Sequence, residues 1–204
     1  MFTIMDDDGS IMMVEEPTAD YGYTYADYLT WKFEERLELF RGKIFKMAGP
    51  NTKHQVVSNK LFLRIGGYLE KRPCFAFVAP YDIRLPVMNR KKDDEITTVV
   101  QPDQGIVCDL TKIDDRGVLG APDFVVEILS PGNSSKEIKL KYELYEEAGV
   151  GEYWVVNPVE ENIITYRLNA TGRFDVYKIL TAGDIIALRA VPDLKIDVKD
   201  IFSN

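Results

Sequence analysis

The sequence is poor in the residues that build soft-metal sites. It has a single histidine, His54, and two cysteines, Cys74 and Cys108, which stand far apart and form no CxxC pair. That excludes a zinc ribbon, a zinc finger or a His-rich metal cage. Positive charge is also short. There are 25 Lys and Arg against 33 Asp and Glu, a formal net charge of −8 and a pI near 4.8. A general nucleic-acid coat, which neutralises many phosphates with clustered Lys and Arg, is excluded by that balance. A catalytic cleft is not, since it needs only local positive charge and its metal ligands are themselves acidic. No apolar run approaches the ~18 residues of a membrane span. The first ten residues carry three consecutive aspartates and no basic stretch, unlike a secretory leader. The expectation is a soluble, cytoplasmic protein that makes no membrane contact and keeps two reduced, mostly buried thiols.

What is present suits one globular domain. The chain has 204 residues, 46% hydrophobic and 28% charged, enough to bury a sizeable core. Residues 1–20 are acidic, Met-rich and aperiodic and read as a flexible arm, leaving 21–204 as the domain. Thr24 is placed to cap a short helix through Tyr28 and Leu29. Apolar residues alternate on both sides of Arg41-Gly42 from Glu35 to Met47, which predicts a β-hairpin. Asn51 can cap a helix in which Val57, Leu61, Ile65 and Leu69 recur every four residues, until Pro73 stops it. Strands are predicted at 75–79, 81–85, across Thr97–Cys108, and at 122–129. Asn89–Glu95 reads as a charged loop and Asp109–Gly120 as a polar connection. Ser134 or Ser135 opens a second helix to Glu147, with Gly149 as its C-terminal cap. Strands follow at 152–157, 163–168 and 174–179, then a tail patterned on Leu194, Ile196 and Val198. This order implies an α/β fold, a central mixed sheet flanked by helices. The apolar strands 122–129 and 152–157 belong at its centre.

One acid inside an apolar strand carries the chemistry. Alternation along Asp123-Phe-Val-Val-Glu127-Ile-Leu129 puts Glu127 on one face with Val125 and Leu129. A carboxylate there needs a cation, a metal or a hydrogen-bond partner. A structural salt bridge and a metal site both meet that need. Asp123 shares the face but lies about 13 Å away at the strand rise, too far to ligate the same ion, and suits a strand-start cap or a supporting role. A second carboxylate must come from another strand. Asp103 follows Pro102, whose missing N–H marks a strand end or bulge that can aim a side chain into a cleft. In the second helix Lys141 sits on the apolar stripe of Ile138, Tyr145 and Ala148. Such a lysine either snorkels along the core surface or meets a carboxylate from the preceding strand. Two acids and a lysine form the kit for metal-assisted phosphodiester hydrolysis. Hard oxygen ligands hold the cation, and the lysine orients water or stabilises developing charge.

Three stretches also resemble a known family. Leu37-Glu-Leu-Phe-Arg-Gly-Lys43, Gln101-Pro-Asp103, and the run from Ala121 to Pro131 continued by Lys141 to Pro158 are similar to the bacterial Uma-two family, abundant in cyanobacteria. The resemblance covers roughly 24–190. It implies a restriction-endonuclease-like core of the PD-(D/E)XK superfamily, with Asp103 and Glu127 as the catalytic and metal-binding acids. Leu129 stands where the superfamily lysine would follow Glu127. Members of the family carry that lysine on the next helix, here Lys141. Glu38 matches the acid of the family's early hairpin. His54, at the start of the long helix, is a candidate supporting residue or a structural one.

The resemblance implies a Mg2+-dependent DNA endonuclease, with Mn2+ as a substitute, and a homodimer is expected because restriction-type cuts on two strands are often made by paired subunits. Lys53, Lys60, Arg64, Lys136 and Lys139 are candidate phosphate contacts, and no base-reading motif is visible. Two other readings fit the same residues: a catalytically silent nuclease fold used for binding or assembly, and a metal-dependent hydrolase of a small phosphorylated ligand.

Overall fold

The computed structural model describes residues 2–5, 11–14, 22–31, 36–47, 49–86, 90–131 and 135–203. Most of the arm, Asn89 at the start of the charged loop, and Ser134 as a helix cap lie outside these. Within the arm, β1 (Phe2–Met5) and β2 (Ile11–Val14) pair as an antiparallel hairpin, where the sequence showed no period. Helix α1 (Tyr25–Tyr28) starts on a reciprocal cap: the Thr24 hydroxyl accepts from the Asp27 N–H, and the Asp27 carboxylate accepts from the Thr24 N–H. Strands β3 (Leu37–Phe40) and β4 (Lys43–Lys46) form the expected hairpin, with Gly42 at φ +78°. Asn51 caps α2 (Thr52–Leu69) by accepting from the His54 N–H at 2.8 Å.

Four short strands follow: β5 (Phe75–Val78), β6 (Ile83–Arg84), β7 (Val99–Val100) and β8 (Gln104–Val107). Strands β9 (Ile113–Asp114) and β10 (Gly117–Leu119) occupy the stretch read as a polar connection. After β11 (Phe124–Ile128) and α3 (Ser135–Ala148) come β12 (Glu152–Asn157), β13 (Asn162–Leu168) and β14 (Phe174–Leu180). The tail is β15 (Ile185–Ala187), β16 (Lys195–Asp197) and α4 (Val198–Phe202).

Two six-stranded sheets organise these elements. The larger runs β14-β13-β12-β11-β8-β5, the smaller β4-β3-β7-β6-β10-β9. Strands β11 and β12 are the parallel central pair, as their unbroken apolar runs imply. Alternation along β11 divides the core. Phe124, Val126 and Ile128 pack with Trp154, with Val57, Leu61 and Ile65 of α2, and with the C-terminal elements. Val125 faces the other way, with Tyr153, with Leu144 and Tyr145 of α3, and with Phe40 and Val100 of the smaller sheet. Glu127 shares Val125's parity, so its carboxylate enters the layer between the two sheets.

The structure corrects two expectations. Residues 97–108 are not one strand region. Strand β7 belongs to the smaller sheet and β8 to the larger, and Gln101-Pro102-Asp103 crosses between them. Pro102 has no N–H to continue a ladder, so the chain leaves one sheet there and enters the other. The cysteines are not free thiols either. Cys74 and Cys108 form a disulfide. The register of β5 against β8 pairs Phe75 with Val107, which brings the two flanking residues face to face. That pairing is set by non-local register and leaves no mark in cysteine spacing.

Glu152, fully buried, ties the tail to the sheet. It accepts from the Trp154 indole at 2.8 Å and the Arg189 N–H at 2.6 Å, and it pairs with Arg167 at 3.4 Å. Glu152→Ala strands the buried Trp154 indole and unties Arg167 and the Arg189 N–H, and is expected to lower stability by about 3 kcal/mol, read by urea denaturation. Among the described residues no helix is long and apolar enough to cross a membrane.

Candidate active site

Four elements deliver the site. Strand β3 carries Glu38, the sheet-crossing turn carries Asp103, β11 carries Glu127, and α3 carries Lys141. The Lys141 ammonium lies 3.1 Å from Glu38 Oε1 and 2.9 Å from Glu127 Oε1. All three of these side chains are buried. The Tyr145 hydroxyl, one helical turn beyond Lys141, donates to Glu127 Oε1 at 2.5 Å. Glu38 Oε1 also accepts from the Gln101 N–H at 2.7 Å. Asp103 Oδ2 accepts from the Ile128 N–H at 2.7 Å and lies 3.1 Å from His54 Nε2. Asp103, Glu127, Lys141 and His54 line one pocket of about 110 Å3.

The electrostatics of the cluster are unbalanced. Two carboxylates, Glu38 and Glu127, share the Lys141 ammonium, and Asp103 acts on it at longer range. The Glu127 carboxyl is raised to about 8: burial pushes it up, Lys141 pulls it down, and Asp103 and Glu38 push it up again. Burial opposes the charge on Lys141, yet Glu127 and Glu38 hold it above the ordinary lysine range. Burial, with Glu127 beside it, also keeps the Tyr145 hydroxyl protonated and therefore a donor.

An excess of buried carboxylate is what a divalent cation relieves, and hard oxygen donors are what Mg2+ takes. The residues present fit such an ion. Asp103 and Glu127 would hold it. Among the described residues no group of three or more His, Cys, Asp and Glu side chains is gathered for a metal, so these two carboxylates would leave the remaining positions to water and substrate oxygen, a common arrangement for Mg2+.

Asp123 does not join the cluster. Its carboxylate accepts from the Cys108 N–H at 2.7 Å and caps the far end of the β8–β11 pairing. None of Lys53, Lys60, Arg64, Lys136 or Lys139 lines the pocket; Arg64 pairs with Asp200 at 3.0 Å and Lys139 with Glu143 at 3.8 Å. His54 stands against Asp103, as its place at the start of α2 allowed. Sequence reading passed over Tyr145 as a site residue, although the helical stripe that singled out Lys141 also contained it. It passed over Arg36 and Gln101 too, because their roles depend on the sheet crossing.

Gln101 anchors a polar chain beside the cluster. Its Nε2 donates to Asp82 Oδ1 at 2.8 Å, and the Tyr28 hydroxyl donates to the same oxygen at 3.2 Å. Burial raises the Asp82 carboxyl above the ordinary 3.8, while the bonds from Gln101 and Tyr28 lower it. Below 3.8 both folded and unfolded chains hold the proton. Above it the unfolded chain ionises first, so stability falls as pH rises through the folded value. Asp82→Asn keeps an acceptor for Gln101 and Tyr28 and removes this loss. Its melting temperature should exceed the parent's at neutral pH and match it at pH 3.

Comparison with known proteins now bears on this geometry. The family model Uma2, described as "Putative restriction endonuclease", matches residues 25–199. The chain belongs to the Uma2 family. A relative from Synechocystis, described as an uncharacterized protein, is 24% identical over 184 residues, covering 88% of this chain and 92% of its own. A crystal structure described as a putative nuclease belonging to DUF820, from Anabaena variabilis, superposes with a TM-score of 0.70 at 19% identity, covering 89% of this chain and 98% of that one. At that identity the likeness shows the fold: a mixed α/β architecture shared with a nuclease-like neighbour.

Proposed function

We propose that this Uma2 protein is a metal-dependent endonuclease of PD-(D/E)XK type that hydrolyses DNA phosphodiester bonds, with Mg2+ as the working ion and Mn2+ as a substitute. The observation that carries the reading is the buried pairing of Glu38 and Glu127 on the Lys141 ammonium, with Asp103 lining the same pocket, in a chain whose family is described as "Putative restriction endonuclease". A bound divalent cation would supply charge neutralisation and a more acidic water.

The protein's own groups do the rest. The ammonium of Lys141 fixes Glu127 and Glu38 in one geometry and offers its remaining donor to a water or phosphate oxygen at the cleft. The Tyr145 hydroxyl and the Ile128 N–H hold Glu127 and Asp103 against rotation, each through one carboxylate oxygen. Cutting both strands at one locus takes two such sites, so the reading includes a homodimer.

The test is nicking of supercoiled plasmid by purified protein with Mg2+ or Mn2+, beside an EDTA control and the Glu127→Gln variant. Cleavage by the parent alone supports the reading. Equal cleavage by both proteins, or none by either, overturns it. A silent nuclease fold used for binding predicts no heat of Mg2+ or Mn2+ binding in calorimetry, and a hydrolase of small ligands predicts turnover of nucleotides without plasmid cleavage.

A further inference from the structure

The acids lining the pocket, Asp103, Glu127 and Glu137, repel a polyanion, and this chain carries a net charge of −8. A DNA phosphate can approach only where a fixed positive charge outweighs the local acids. Among the described residues lining the pocket, the permanent cations are Lys141 and Arg36. Lys141 is buried and already shared by two carboxylates. Arg36 is solvent-exposed and immediately precedes β3, the strand that carries Glu38.

Its contact is unusual for a surface arginine. Arg36 Nε and Nη2 both donate to the Gln101 side-chain oxygen, at 3.2 and 3.0 Å. The acceptor is a neutral amide, so the guanidinium is oriented while its charge is left uncancelled by that contact. Gln101 is itself fixed: it is buried, its Nε2 is bound to Asp82 and the Tyr28 hydroxyl, and its N–H is bound to Glu38. A part-buried polar chain thus holds an exposed cation in the pocket lining. Such pre-orientation matters because a free arginine would lose side-chain entropy on gripping a ligand. A planar guanidinium held on one edge presents its other edge to a phosphate oxygen.

We propose that Arg36 is the phosphate clamp of the site, gripping a backbone phosphate of the substrate strand, and that Gln101 is its positioning residue. The assignment rests on the nuclease reading and names the group that brings DNA to the acids. A phosphate contact positions the strand without reading its sequence, so the clamp acts equally on all duplexes.

The experiment measures binding of fluorescent duplex oligonucleotides of three unrelated sequences by anisotropy over a salt series. It uses the Glu127→Gln protein in EDTA, so that the DNA stays intact. Adding Arg36→Ala should weaken binding about tenfold or more on all three duplexes. It should also reduce the slope of log affinity against log salt by about 0.9, the loss of one phosphate contact. Arg36→Lys should recover the slope but not the full affinity. Gln101→Met should weaken binding with the slope unchanged, which a general loss of folding would not produce. Thermal melting identifies any variant that fails to fold. Affinity and slope unchanged in Arg36→Ala overturn the clamp, and plasmid cleavage by the parent protein then leaves the nuclease reading standing. If the protein neither binds the duplexes nor cuts plasmid, both readings fall together.

Discussion

Lys141→Met is expected to abolish plasmid nicking and to destabilise the fold by about 3–5 kcal/mol, the scale for breaking a buried ion pair by removing one partner. The side chain is buried between two buried acids, so its loss leaves Glu38 and Glu127 facing each other without the shared cation. The destabilisation should shrink as pH falls, because protonating the acids removes the uncompensated charge. A second substitution separates structure from chemistry. Lys141→Met combined with Glu127→Gln replaces the ionised partner with a neutral amide that can still accept from Tyr145. The double variant should therefore be more stable than Lys141→Met alone, a non-additivity expected of residues in one network. It should remain inactive. Urea denaturation and nicking assays on the three proteins check this. If Lys141→Met melts like the parent and still cuts, the buried ammonium does nothing for either stability or chemistry.

Asp103→Asn carries the second large effect, on metal and catalysis with little effect on the fold. The side-chain oxygen that accepts from the Ile128 N–H survives in asparagine, so melting should shift by only a degree or two in the absence of metal. Divalent-ion binding should weaken strongly and cleavage should fall about 100-fold or more. The parent offers an internal control. A saturating ion at about 100 times its Kd should stabilise it by about 2.7 kcal/mol, and the variant should lose most of that gain. Calorimetry and melting with and without Mn2+ read both quantities. An Asp103→Asn protein that binds Mn2+ as tightly as the parent would remove Asp103 from the ligand set.

Much of the candidate site's placement was legible because it obeys local periodicities. Two-residue alternation put Glu127 on an apolar face, and the helical stripe put Lys141 on the core side of α3. Pro102 marked an irregularity at Asp103. Each reading uses only neighbours in sequence. Glu38 was harder, since alternation divides a strand into two faces without saying which one meets a cleft; here all of β3 is buried. The resemblance to the family's hairpin drew attention to it, and the structure supplies the contact with Lys141. What stayed hidden depends on pairing between distant segments. The disulfide follows from the β5–β8 register, and Asp123's cap follows from the β8–β11 register. Arg36 and Gln101 meet only because the chain changes sheets at Pro102.

That sheet change also bears on how the protein can be shortened. Glu38 comes from the smaller sheet, Glu127 from the larger, and Lys141 bonds to both. A fragment beginning at α2 would keep all six strands of the larger sheet, two of the three carboxylates and the lysine. It would lack Arg36, Glu38 and the β3–β4 hairpin that closes one edge of the smaller sheet. Such a fragment is a scaffold with half a cleft, because the ion-paired lysine is the rivet between two plates and one plate would be incomplete.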